Sequence, residues 1–134
     1  MTRPDRAVAI VVCNARVLVV LRRRPGRSYA VLPGGGVEPG ESPAQAAVRE
    51  LAEETSLIGI AGEQLWVRDD GGRRAFYLRM REVTGTPRLG GPEAARQSAD
   101  NQYGLVWASA DELENLGLRP AEIAPLMREL LQTW

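Results

Sequence analysis

The chain has no histidine and a single cysteine, Cys13. Without histidine, Ser–His and Cys–His nucleophiles and the common imidazole zinc sites are excluded, which leaves carboxylate–metal chemistry as the main catalytic option. One cysteine cannot close an internal disulfide, and a reducing cytoplasm fits that usage. Cys13 falls in an apolar stretch, where the ordinary reading is a small buried residue. Net charge is zero, so composition suggests neither stable nucleic-acid binding nor an acidic-membrane partner. No apolar run approaches the length of a membrane span. The apolar stretch Ala7–Cys13 is followed at once by Asn14 and Arg16, unlike a signal peptide. What remains is 134 residues, 44% hydrophobic and 25% charged, enough for one core and too little for two.

Residues Ala7–Cys13 and Val17–Leu21 read as strands around an Asn14-Ala15-Arg16 turn, and Tyr29–Leu32 as a short extended stretch. Ile58–Arg68 and Arg73–Glu82 form a predicted hairpin around Asp69-Asp70-Gly71-Gly72. Thr84–Asp100, rich in glycine and proline, is a candidate substrate loop, and Gly104–Ala108 a further strand. Ser109-Ala110-Asp111-Glu112 has the form of a capping box opening a short helix to about Asn115. Arg119-Pro120 then starts a C-terminal helix, which Pro125 delays or bends. Strands alternating with helices suit a mixed sheet covered on two faces, an α/β class.

The most informative segment is GGVEPGESPAQAAVRELAEETSL, Gly35 to Leu57. Ser42, Pro43 and Gln45 have the spacing of a helix start: an N-cap hydroxyl, a proline at the first position and a side chain that reaches back. At roughly 100° per residue, with Glu50 at zero, Glu54 lies near 40° and Glu53 near −60°. Leu51, Ala44, Thr55 and Val48 fall between about 100° and 160° and form the predicted core side. Glu50 and Glu54 are a like-charged i,i+4 pair, and Glu53 and Glu54 approach the negative end of the helix dipole. Arg49 offsets part of this. A solvated acidic face is the ordinary reading of such a helix. The alternative is a divalent cation among the three carboxylates, with a phosphate chain behind it. Magnesium is expected and manganese is a second choice.

Two upstream features bear on that choice. Pro33-Gly34-Gly35-Gly36 is a turn whose backbone a ligand can approach closely, since no Cβ intervenes. Arg22, Arg23, Arg24 and Arg27 read either as a solvated strand end or as a cationic wall for a polyphosphate. Strand alternation puts Arg22 and Arg24 on one side. Tyr29 is a packing residue or a platform for a base.

The segment resembles the signature box of the Nudix hydrolases: a glycine, five residues, a glutamate, seven residues, then Arg-Glu-U-x-Glu-Glu-x-Gly-U, with U aliphatic. Gly35, Glu41, Arg49, Glu50, Leu51, Glu53, Glu54 and Leu57 match at the required spacing. Ser56 stands where the family has glycine. That position often needs a left-handed backbone, which serine adopts at a cost of roughly 1 kcal/mol. Gly59 would share the burden if the turn were shifted. Trp107, in VWASADEL, also resembles the family's later half.

The resemblance implies one Nudix domain over residues 1–134 with an α/β/α sandwich and a mixed sheet. It also implies hydrolysis of a pyrophosphate bond in a nucleoside diphosphate linked to another moiety. By the same resemblance Glu50, Glu53 and Glu54 are metal ligands, with a carbonyl of Gly34 as a further one. Arg49 orients the glutamates through Glu41 or Glu53. Independently of the resemblance, Gly35, Gly36, Arg22, Arg24 and Tyr29 are the candidates to face substrate. The general base is a box glutamate, Glu50 first, or a distal acid, for which Asp100, beside Asn101, and Glu93 are candidates. A proline some fifteen residues beyond the box, usual in the ADP-ribose subgroup, is replaced here by Gly71-Gly72-Arg73. The expected substrate is therefore a nucleoside triphosphate or small nucleotide derivative, and a homodimer is a frequent family state. The competing class is a nucleotide-binding module that kept the box and lost its base. An RNA-processing enzyme would show a basic surface, which neutral net charge does not suggest.

Overall fold

The computed structural model describes residues 4–90, 98 and 102–133. In chain order the elements are β1 (Arg6–Ile10), β2 (Val12–Cys13), β3 (Arg16–Arg24), β4 (Arg27–Val31), β5 (Gly34–Gly36), α1 (Pro43–Thr55), β6 (Ile58–Asp70), β7 (Arg73–Thr84), β8 (Gln102–Ser109), β9 (Leu118–Arg119) and α2 (Ile123–Thr133). The fold is α/β with mixed sheets, as the sequence suggested. The strands divide between two sheets, and the chain between two compact units: Met1–Val11 with Pro33–Arg88, and Val12–Leu32 with Leu89–Trp134.

In the first unit the strand order is β5-β1-β7-β6. The inner strand β1 runs parallel to β7 and antiparallel to β5, and Ala7, Val8, Ala9 and Ile10 are all buried. The β6–β7 hairpin turns on Gly71 and Gly72, with φ of 62° and 87°. Two consecutive positive values define the turn whose twist suits a two-residue hairpin, and glycine reaches them without a Cβ clash.

Helix α1 begins as the sequence specifies. The Ser42 hydroxyl accepts from the Gln45 N–H at 3.1 Å, and the Gln45 side chain accepts from the Ser42 N–H at 2.9 Å. Its buried residues are Ala46, Ala47, Leu51, Glu54 and Thr55. Leu51 and Thr55 are thus on the expected core side, but Val48 and Ala44 are only half-buried. The helix is rotated so that Glu54 also lies inward. There its carboxylate accepts the Gly34 N–H of the glycine strand.

The helix ends at Ser56, with φ of 65° and ψ of 9°, where its N–H donates to the Ala52 carbonyl. Serine therefore takes the left-handed conformation itself. Gly59 is not among the positive-φ residues, so the turn is not shifted.

In the second unit β3 pairs antiparallel with β2, β4 and β8, and β9 joins β4 in parallel. The turn before β3 has φ of 51° at Asn14 and 60° at Ala15. Cys13 is exposed, contrary to the buried reading, because the two-residue β2 ends at this turn.

Two further expectations differ. The Ser109 N–H donates to the Glu112 carboxylate at 3.0 Å, yet only a single 3-10 turn follows at Ala110–Glu112. Gly117, at φ of 71°, redirects the chain so that Leu118 pairs with Ala30. Arg119 is consequently a strand residue, and the last helix starts at Ile123. Pro125 lies in its first turn, where a missing N–H leaves no bond unmade.

Candidate active site

In the first unit the box segment folds into one connected polar cluster. Arg49 is at its centre. Its Nε donates to Glu41 Oε2 at 2.8 Å and its Nη2 to Glu41 Oε1 at 2.9 Å, a fork-on-carboxylate geometry. Nη2 also donates to the Gly36 carbonyl at 2.9 Å, and Nη1 to Glu50 Oε1 at 2.8 Å and Glu53 Oε2 at 3.4 Å. The Glu38 N–H adds a bond to Glu41 Oε1 at 3.0 Å.

These bonds set the charge states of the pair. The Arg49 guanidinium, and after it the Glu38 N–H, hold the Glu41 carboxyl down at about 2, from an ordinary 4.5. Glu41 in turn pushes the Arg49 guanidinium above its ordinary value. The pair stays ionised through the physiological range, so Arg49 is a fixed fork for Glu50 and for the glycine strand.

The box glutamates take three different environments. Glu54, 7% exposed, accepts the Gly34 N–H at 2.8 Å through Oε2. Glu50 lies over β5: a Cβ placed on Gly35 would overlap its carboxylate. The Glu53 side chain is half exposed. Gly34 and Gly35 are thus glycines for packing reasons, since a Cβ at Gly34 would collide with the backbone of Ala7 and Val8. The missing side chain at Gly35 lets the Glu50 carboxylate lie on the strand, and Glu54 reaches it through the Gly34 N–H.

Among the described residues no three acid, histidine or cysteine side chains already form a metal-holding group. The donor chemistry nevertheless suits a divalent ion. Hard carboxylate oxygens are gathered at a backbone that carries no side chain, which is the ligand type magnesium prefers.

The second unit brings the arginine run to a different arrangement from a plain cationic wall. The β3–β4 turn through Pro25 and Gly26 sets Arg22 opposite Tyr29 and Arg24 opposite Arg27, and on the other pairing Arg22 is opposite Tyr103. Arg22 Nη1 donates to the Tyr29 hydroxyl at 2.9 Å. The guanidinium carbons of Arg22, Arg27 and Arg119 lie 5.8, 5.3 and 4.5 Å from the Tyr29 ring centre, within cation–π range. Arg22 is also 5.0 Å from the Tyr103 ring. Tyr29 is therefore flanked by guanidinium groups. Arg24 is exposed.

Arg119 and Tyr103 escaped the sequence reading because their places depend on long-range pairing. A turn signal at Pro25-Gly26 would have returned Arg27 and Tyr29 alongside Arg22. Glu93, Asp100 and Asn101 lie outside the described residues, as does most of the Gly91–Asn101 stretch.

The cluster of Arg49, Glu41, Glu50 and Glu54 over a glycine strand has the order and spacing of the Nudix box, and residues 3–133 match the NUDIX domain family. The chain belongs to the Nudix family. Over 71 residues it is 50% identical to an RNA pyrophosphohydrolase of Proteus mirabilis, a match covering 49% of this chain and 39% of that relative. The matched stretch is thus about two-fifths of the relative's length. Among solved structures, the E. coli ORF135 protein is similar at a TM-score of 0.72 and 28% identity, covering 98% of this chain and 91% of that one. A MutT NUDIX hydrolase from Burkholderia pseudomallei gives 0.73 and 26%, covering 95% and 98%. Among the described residues no helix is long and apolar enough to cross a membrane.

Proposed function

We propose that this Nudix chain is a divalent-metal-dependent pyrophosphohydrolase, acting as one domain on a nucleoside diphosphate linked to another moiety. The observation that carries this reading is the Arg49 fork on Glu41, with the same guanidinium holding Glu50, whose carboxylate lies over Gly35 of the glycine strand. Magnesium, or manganese in its place, would be held by Glu50, Glu53 and Glu54 with the Gly34 carbonyl, and supplies charge neutralisation of phosphate oxygens.

The chain's own residues supply the rest. Gly35 and Gly36 admit the phosphates to the backbone. Arg49 orients the carboxylates and does not itself contact the substrate. Glu50, fixed by Arg49 Nη1, accepts the proton of the attacking water. Buried Glu54 holds the glycine strand through the Gly34 N–H.

The substrate in this reading is a nucleoside triphosphate or a 5′-phosphorylated RNA end. The RNA option follows the Proteus mirabilis relative, an RNA pyrophosphohydrolase. Zero net charge does not oppose it, because the arginines gathered around Tyr29 are a local basic surface in a neutral chain. A cytoplasmic setting accords with the exposed free Cys13.

Phosphate or pyrophosphate release from a panel of nucleotides and 5′-triphosphorylated RNA, with and without magnesium, tests the proposal. Glu54→Gln keeps an acceptor for the Gly34 N–H and removes a charge, so turnover is expected to fall by orders of magnitude while the melting temperature changes little. Full activity in Glu54→Gln would overturn the metal assignment. Nucleotide binding with no metal-dependent turnover in the unsubstituted protein would favour a binding module instead.

A further inference from the structure

The arginines of the second unit are arranged in a way that sheet stability alone does not account for. Arg22, Arg27 and Arg119 come from three strands and converge on one ring, Tyr29. Among the described residues none of the three forms an ion pair with an acid. A single π-face attracts a cation, but three guanidinium groups around one ring also repel each other. Each carries five N–H donors in a fixed plane. The Tyr29 hydroxyl takes one of those from Arg22, and the buried Arg22 Nε has no hydrogen-bond acceptor among the described residues.

Surroundings of Arg119 point the same way. It borders a cavity of about 370 Å³ lined also by Glu114, Gly117, Leu118, Ala121 and Ala124. Glu114, the acid on that lining, is 4.0 Å from Arg128. Among the described residues the cations around Tyr29 thus have no paired acid, while their aromatic partner keeps them in place. Preorganised planar forks without an acid suit a multiply charged oxyanion, which they bind in pairs of parallel hydrogen bonds.

We infer that Arg22, Arg27 and Arg119, set around Tyr29, form a metal-independent binding site for a phosphate-bearing ligand. This deepens the proposed function by adding Arg27 and Arg119 as phosphate-binding residues and by giving Tyr29 a scaffolding role in place of base stacking. The site is complete within the second unit. Its test therefore does not depend on whether the carboxylate helix hydrolyses anything.

Calorimetric titration in EDTA, which removes divalent metal, measures binding alone. The probes are inorganic tripolyphosphate, GTP, and one short oligoribonucleotide bearing either a 5′-triphosphate or a 5′-hydroxyl. The unsubstituted chain should bind tripolyphosphate with an affinity that falls as salt rises. Arg27→Gln and Arg119→Gln should each weaken binding by about tenfold, the scale of one charge-assisted hydrogen bond. Arg119→Lys should recover part of the loss, and matching thermal melts establish that the variants are folded.

The oligonucleotide arms identify the source of the phosphate. Binding that needs the 5′-triphosphate assigns the site to a terminal phosphate chain, and equal binding of both forms assigns it to backbone phosphates. Either supports the site. No tripolyphosphate binding by the unsubstituted chain, or affinities unchanged in both glutamine variants, would overturn it.

Discussion

Arg49 and Glu41 meet through two parallel hydrogen bonds of 2.8 and 2.9 Å, eight residues apart along the chain and across the loop that leads into α1. The same guanidinium holds Glu50 and the Gly36 carbonyl, so one side chain ties loop, helix and glycine strand together.

Arg49→Lys preserves the charge and removes the fork. An ammonium cannot meet both oxygens of one carboxylate, a second carboxylate and a carbonyl from one position. Loss of charge-assisted bonds should lower stability by about 1–3 kcal/mol and leave Glu50 loosely held. Urea melts and metal-dependent turnover measure the two effects. Unchanged turnover would show that Glu50 needs no positioning from Arg49.

Acid should weaken the fold through Glu41. Its carboxyl titrates at about 2 in the folded chain against an ordinary 4.5. The folded state therefore binds this proton less readily than the unfolded one, and the stabilising contribution is complete above about 4.5. It declines as pH falls from there toward 2. Glu41→Gln should flatten that part of the stability–pH curve relative to the unsubstituted chain. Identical slopes in the two proteins over this interval would contradict the assignment.

Gly35→Ala places a Cβ onto the Glu50 carboxylate. Glu50 must shift, so turnover should fall at least tenfold, because misplacing a catalytic group by about 1 Å costs on that order or more. The comparison is kcat against thermal stability for Gly35→Ala beside Gly36→Ala, since among the described residues a Cβ at Gly36 meets only the Pro4 ring, at 3.8 Å. Equal effects at both positions would argue against a specific role for Gly35.

Ser56 occupies a left-handed conformation with φ of 65°. Replacing it with glycine relieves a Cβ penalty of about 1 kcal/mol, offset slightly by the long 3.5 Å bond from its hydroxyl to the Arg88 carbonyl. Ser56→Gly should therefore raise the melting temperature without changing turnover. A loss of stability would mean that the Arg88 contact outweighs the backbone strain.

Local chemistry was legible in the sequence wherever neighbours in the chain do the work. The Ser42–Gln45 cap, the Gly71-Gly72 hairpin and the left-handed helix end are each fixed by a few adjacent residues, and each is present. The box residues were legible by spacing, because an amphipathic helix carries its periodicity in the chain itself.

Tertiary structure decided what those residues face. The wheel placed Glu50, Glu53 and Glu54 on one acidic side, yet Glu54 is buried and Glu53 half exposed, since Glu54 is held inward by a backbone N–H of a strand that begins nine residues before α1. Sheet pairing likewise set Arg119 beside Tyr29, ninety residues away in sequence, and turned an expected helix start into a strand. Composition and local pattern specify turns, caps and faces. Which side chains converge depends on long-range register, and no short window of sequence contains that.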